Sequence, residues 1–85
     1  MQELTGRTAF VTGGASGIGL ALGHAFAGAG MKVMLADIET DALDAALSNL
    51  HALGSNVRGV VCDVADPASV ERAAEATFGI FEPAL

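Results

Sequence analysis

Eighty-five residues with a formal net charge of −6, 52% hydrophobic side chains and a mean hydropathy of +0.51 bound one small domain at most. The four strong bases, Arg7, Lys32, Arg58 and Arg72, are scattered, which argues against nucleic acid or an anionic membrane as partner. No apolar run has bilayer-spanning length and no basic segment precedes the first strand, so neither a membrane span nor a signal peptide is expected.

In chain order the pattern alternates strand and helix, the signature of a parallel α/β sheet. The first strand is expected at Thr8–Thr12, and a helix at Gly17–Gly28 with Ile18, Leu22, Ala25 and Phe26 on its inward face. Gly28-Ala29-Gly30 ends that helix, and Gly23 inside it suggests close packing on the sheet. A second strand follows at Lys32–Asp37, then a helix at Thr40–Leu53 with Leu43, Leu47 and Leu50 inward and Gly54 as its stop. The third strand is read at Val57–Cys62. Asp66-Pro67, an N-cap acid before a first-turn proline, opens a last helix. Its buried face is expected at Val70, Ala73, Ala74 and Phe78, and its end at Gly79. Right-handed crossovers then give the strand order 3-2-1.

Two features carry chemistry. Thr12-Gly13-Gly14-Ala15-Ser16-Gly17-Ile18-Gly19 lies between a strand and a helix, where glycines admit a phosphate to the backbone and the helix start offers N–H groups and a positive dipole end. Asp37 stands eighteen positions past Gly19 at the end of the second strand, placed to accept the two ribose hydroxyls of an adenosine. A glycine cluster alone is a weak signal; strand, turn, helix and acid in this order point to a dinucleotide. A nucleoside-triphosphatase loop is disfavoured. Gly14 and Gly19 have its glycine spacing, but Leu20 and Ala21 stand where Lys and Ser/Thr are needed.

His24 and His51 share no face with further ligands, so no metal site is expected. The lone Cys62 reads as a small buried hydrophobe at a strand end and points to a reducing compartment, the cytoplasm. Asp41, Asp44, Glu71 and Glu75 read as solvated helix acids.

The glycine segment resembles the Thr-Gly-x-x-x-Gly-x-Gly motif of the short-chain dehydrogenases/reductases. Gly6-Arg7-Thr8-Ala9-Phe10-Val11 resembles that family's lead-in, and Cys62-Asp63-Val64 its Asp-Val/Leu signature, whose acid bonds the adenine amino group. The resemblance covers about residues 5 to 78. It implies a Rossmann-type, NAD(P)-dependent oxidoreductase acting on alcohols or carbonyls. The cofactor residues it implies are Gly13, Ser16, Gly17, Ile18, Gly19, Asp37, Asp63 and Val64. Intact members are usually homo-oligomers.

The family's catalytic Tyr, the Lys four residues beyond it, the Ser and the Asn have no counterpart here, and the chain has no tyrosine. No catalytic residue is therefore assigned. Residues 1–79 read as the N-terminal part of the dinucleotide-binding domain, an incomplete three-stranded, three-helix fold. Residues 80–85 read as a tail unlike the family's continuation, from a truncation, a frameshift or a partial gene. Such a piece should leave Ala9, Phe10 and Val11 on an open strand edge and self-associate. Asp37 and the absence of a base in the glycine loop favour NAD over NADP. Two other readings stand beside this one: a non-catalytic nucleotide-binding module, and a different Rossmann-type protein such as an S-adenosylmethionine-dependent methyltransferase.

Overall fold

The computed structural model describes residues 5–53 and 56–81. The elements run β1 (Thr8–Thr12), α1 (Gly17–Gly28), β2 (Lys32–Asp37), α2 (Thr40–Leu50), β3 (Val57–Val61) and α3 (Pro67–Phe81). The strands form one parallel sheet in the order β1-β2-β3, which is the expected 3-2-1 read from the other edge. Thr8 pairs with Lys32 and Thr12 with Ala36, while Val33 pairs with Val57 and Asp37 with Val61. All three strands therefore end at one level.

Val33, Met34, Leu35 and Ala36 are fully buried along the middle strand. Such an unbroken apolar run belongs to a parallel sheet covered on both faces. One face carries the larger core, in which Val11, Val33, Leu35 and Val57 meet Ala27 of α1 and Leu43, Ala46 and Leu50 of α2. On the other, Ala36 and Cys62 meet Ala73 of α3.

Element ends differ from the sequence reading where side chains intervene. Helix α2 stops at Leu50, and residues 51–53 close as a turn through Leu53 N–H to Leu50 O at 2.9 Å. His51 at the cap reaches across to Val57 O, 2.9 Å from Nε2. The expected stop at Gly54 lies outside the described residues. Strand β3 ends at Val61, with Cys62 just beyond it. Helix α3 passes through Gly79 to Phe81, because Phe81 is buried and its carbonyl accepts a bond from Lys32 Nζ at 3.2 Å. The expected start holds: Asp66 Oδ1 accepts the Ala68 N–H at 3.1 Å.

Two helix faces are corrected. Ile18, Leu22 and Ala25 of α1 are exposed and Phe26 is partly buried against the core, while Gly23 and Ala27 are the buried residues. A Cβ on Gly23 would stand 3.0 Å from Leu35 Cδ2, so the small-residue side lies against the sheet, as the glycine suggested. In α3 the buried stripe is Ala73, Thr77 and Phe81, while Phe78 points outward. Thr77 tolerates burial because its hydroxyl donates to Ala73 O at 2.8 Å. Of the expected open edge of β1, only Phe10 is exposed; Ala9 and Val11 are buried.

Candidate functional site

The common level at which the strands end builds a cleft. Gly13 after β1, Asp37 and Ile38 after β2, and Cys62, Asp63 and Val64 after β3 line an open cavity of about 180 Å³. Ligands of open parallel sheets bind at this end, outside the carboxyl termini of the strands.

The loop between β1 and α1 holds its shape through backbone. Gly13 and Gly17 take φ of 62° and 60°, a left-handed conformation costly for other residues. No atom lies within 4 Å of the Cβ either would carry, so the space above them is open. Gly19 has the opposite constraint: any Cβ there would collide with the Gly13 carbonyl. Ser16 is the N-cap of α1, with extended φ and ψ of −159° and 167°, and its hydroxyl makes no capping bond. Helix geometry leaves the first-turn N–H groups without intrahelical partners and the positive dipole end beside them. No acidic side chain stands in that turn.

Asp37 is held by two backbone amides. Its Oδ1 accepts the Glu39 N–H and its Oδ2 the Ala15 N–H, both at 3.0 Å. Those bonds, Glu39 first and Ala15 second, hold its carboxyl below the ordinary range against the opposing pull of burial. The group is a carboxylate at neutral pH, with a lone pair left on each oxygen for a hydroxyl donor. Asp63 accepts the Ala65 N–H on Oδ1 at 2.9 Å, and its own N–H donates to Ser69 Oγ at 3.0 Å.

Of the sequence-derived site residues, Gly13, Asp37, Asp63 and Val64 meet in the cleft. Ser16, Gly17, Ile18 and Gly19 lie at the start of α1 rather than on its wall, with Ile18 82% exposed. Ala15 and Ser69, which bond the two acids, carry no signal in the sequence pattern. Gly14 also has a structural part that spacing does not show: its N–H bonds Ala36 O at 3.1 Å, and a Cβ there would stand 2.9 Å from Leu35 Cβ. Ile38 and Cys62 line the cleft simply as neighbours of the acids.

Parallel strands that end in a glycine turn, a helix start and an ionised carboxylate define a Rossmann-type dinucleotide-binding domain. The open space over Gly13 and Gly17 and the spare lone pairs of Asp37 suit the phosphates and ribose of such a ligand. The family model for short chain dehydrogenases matches residues 7–83, and the chain belongs to that family. It is 49% identical over 77 residues to the 1-deoxy-11-beta-hydroxypentalenate dehydrogenase of Streptomyces exfoliatus, covering 91% of this chain and 28% of that protein. It is 36% identical over 81 residues to a C alpha-dehydrogenase of Sphingobium sp., covering 95% and 27%. A short-chain dehydrogenase/reductase from Burkholderia phymatum, solved in complex with NAD, matches with a TM-score of 0.91 at 40% identity, over 95% of this chain and 29% of that one. The chain thus spans less than a third of the length of these relatives. Among the described residues, no helix is long and apolar enough to cross a membrane.

Proposed function

We propose that this chain forms the adenosine half of the cofactor site of an NAD-dependent short-chain oxidoreductase. The observation that carries the reading is the single cleft shared by Gly13, Asp37, Asp63 and Val64. In this reading Asp37 accepts the ribose hydroxyls, Asp63 the adenine amino group, and Ile38 and Val64 offer apolar walls to the base. Gly13, Ser16, Gly17, Ile18 and Gly19 present the α1 start to the pyrophosphate. When bound, the nicotinamide would exchange hydride with an alcohol or carbonyl. That chemistry also needs a proton donor and acceptor that these 85 residues, without a tyrosine, do not provide.

NAD is preferred over NADP. A 2′-phosphate would meet the Asp37 carboxylate, and no base in the glycine loop offsets it. Self-association through the open edge of β1, and homo-oligomers of the intact protein, fit the same reading, as does a cytoplasmic location. Titration calorimetry with NAD and NADP on an intact protein carrying this half tests it. NAD should bind tighter, and Asp37→Ala should weaken NAD by about 1.5–3 kcal/mol. Gly17→Val should abolish the phosphate contribution, because the new side chain fills the open space over the loop. Equal or tighter binding of NADP would sink the preference, and NAD binding unmoved by Gly17→Val would sink the placement of the pyrophosphate. Residues 1–85 alone should show no NAD-linked turnover.

A further inference from the structure

The glycine loop is tied to the second strand by two adjacent bonds. Gly14 N–H reaches Ala36 O at 3.1 Å, and Ala15 N–H reaches Asp37 Oδ2 at 3.0 Å. The first acceptor is backbone and survives any substitution. The second is a side chain 22 residues away in sequence, and it belongs to the carboxylate that also lines the cleft. We infer that Asp37 is a positioning residue for the glycine loop, a latch whose Oδ2 holds Ala15 and so fixes the phosphate side of the site from the ribose side.

Three observations support the latch. Ala15 is buried, with its methyl in the main core, so its N–H is held facing the Asp37 carboxylate and loses a charge-assisted bond if that acceptor goes. Ser16, the hydroxyl residue at the helix start, adds no capping bond of its own. The opposite carboxylate oxygen is itself fixed on the Glu39 N–H at 3.0 Å, so Asp37 cannot swing away while the start of α2 stays in place. A carboxylate clamped at both oxygens is a rigid peg. Its loss frees the segment that would wrap a pyrophosphate, although in the proposed reading Asp37 itself faces the ribose.

The proposal extends the cofactor reading and has one test independent of it. In the ligand-free chain, amide hydrogen exchange at Ala15 should quicken roughly tenfold or more in Asp37→Ala. Exchange at Val33 and Leu35, inside the sheet, should be unchanged. Asp37→Asn keeps one carbonyl acceptor of the same shape, so it should restore protection at Ala15 or at Glu39 but not at both. This variant also covers the case in which the alanine chain fails to fold. Unchanged exchange at both amides in Asp37→Asn, or at Ala15 in a folded Asp37→Ala, overturns the latch.

The second arm compares adenosine with ADP. A residue that only accepts ribose hydroxyls would weaken both ligands by the same factor on Asp37→Ala. A latch makes ADP lose several-fold more than adenosine, and Asp37→Asn recovers part of that excess. Equal losses overturn the coupling between the two halves of the site. Failure of the unsubstituted chain to bind either ligand would instead count against the proposed function and leave the exchange result to decide the latch.

Discussion

The two faces of the sheet are built differently. On the side of α1 and α2, nine of the described residues form one continuous buried core, and Leu35, Leu50, Val33 and Val57 are fully enclosed. On the side of α3, among the described residues, the small Ala36, Cys62 and Ala73 form the cluster, with Val60 and Val70 half-buried against it; Met34, fully buried on Ala36's face of β2, and Phe81 lie on this side too. Phe10 on the edge strand is 37% exposed. The glycine loop and Asp37 belong with the thick layer, because Gly14 and Gly23 lie directly on Leu35. Asp63 hangs from the thin one, held through Ser69 of α3. The Gly13 and Asp37 side of the cleft therefore rests on the larger core, and the Asp63 side on the layer of α3.

The largest effect should come from opening the thick layer. Leu50→Ala removes a side chain with no exposure and leaves a cavity between α2 and the sheet, at a cost of about 2–5 kcal/mol. Val70→Ala in the thin layer removes a half-buried side chain and should cost about 1 kcal/mol. Urea midpoints at an unchanged m-value would measure both. Equal costs would mean the two layers are alike, and the contrast would fail.

Acid should sharpen the contrast next. The amides of Glu39 and Ala15 hold the Asp37 carboxyl below its ordinary range, so its folded pKa lies under its unfolded one. The stability linked to that shift is complete above the unfolded value, near pH 4. It disappears as the solution is acidified through the folded value. Stability measured against pH should show a loss in this window that Asp37→Asn lacks, with the two proteins converging at lower pH. A gap between them that stays constant from pH 6 to pH 2 would show that Asp37 titrates no differently in the two states.

Much of this architecture was legible because its causes are local. The apolar runs bounded by glycine place β1 and β2 at Thr8–Thr12 and Lys32–Asp37, and the helix between them at Gly17–Gly28, as found. Asp66 before Pro67 marks the start of α3 for the same reason. The faces of the helices were less legible. Helix α1 is apolar almost all round, so spacing could not choose between Leu22 and Gly23 as the side meeting the sheet; the shape of Leu35 decides it. In α3 a threonine lies inward where Phe78 was expected, and its bond to Ala73 O within the helix leaves no pattern in apolar spacing. At the site, the acids and glycines stood out by type and order. Their supports did not, since Ala15 acts through its backbone N–H and Ser69 is an ordinary helix serine.

The smallest effect tests the orientation of α3 itself. Phe78 is 58% exposed and lies beside the buried Thr77. Serine and phenylalanine have similar helix propensities, so Phe78→Ser changes little besides a partly solvated ring. It should move stability by about 0.5 kcal/mol or less. Phe81→Ser, on the buried stripe, serves as the reference and should cost several times more, since it removes an 8% exposed ring from beneath the sheet. A loss from Phe78→Ser as large as that from Phe81→Ser would mean that α3 turns the Phe78 face inward. The thin layer would then be thicker than described, and Ser69 would no longer stand where it accepts the Asp63 N–H.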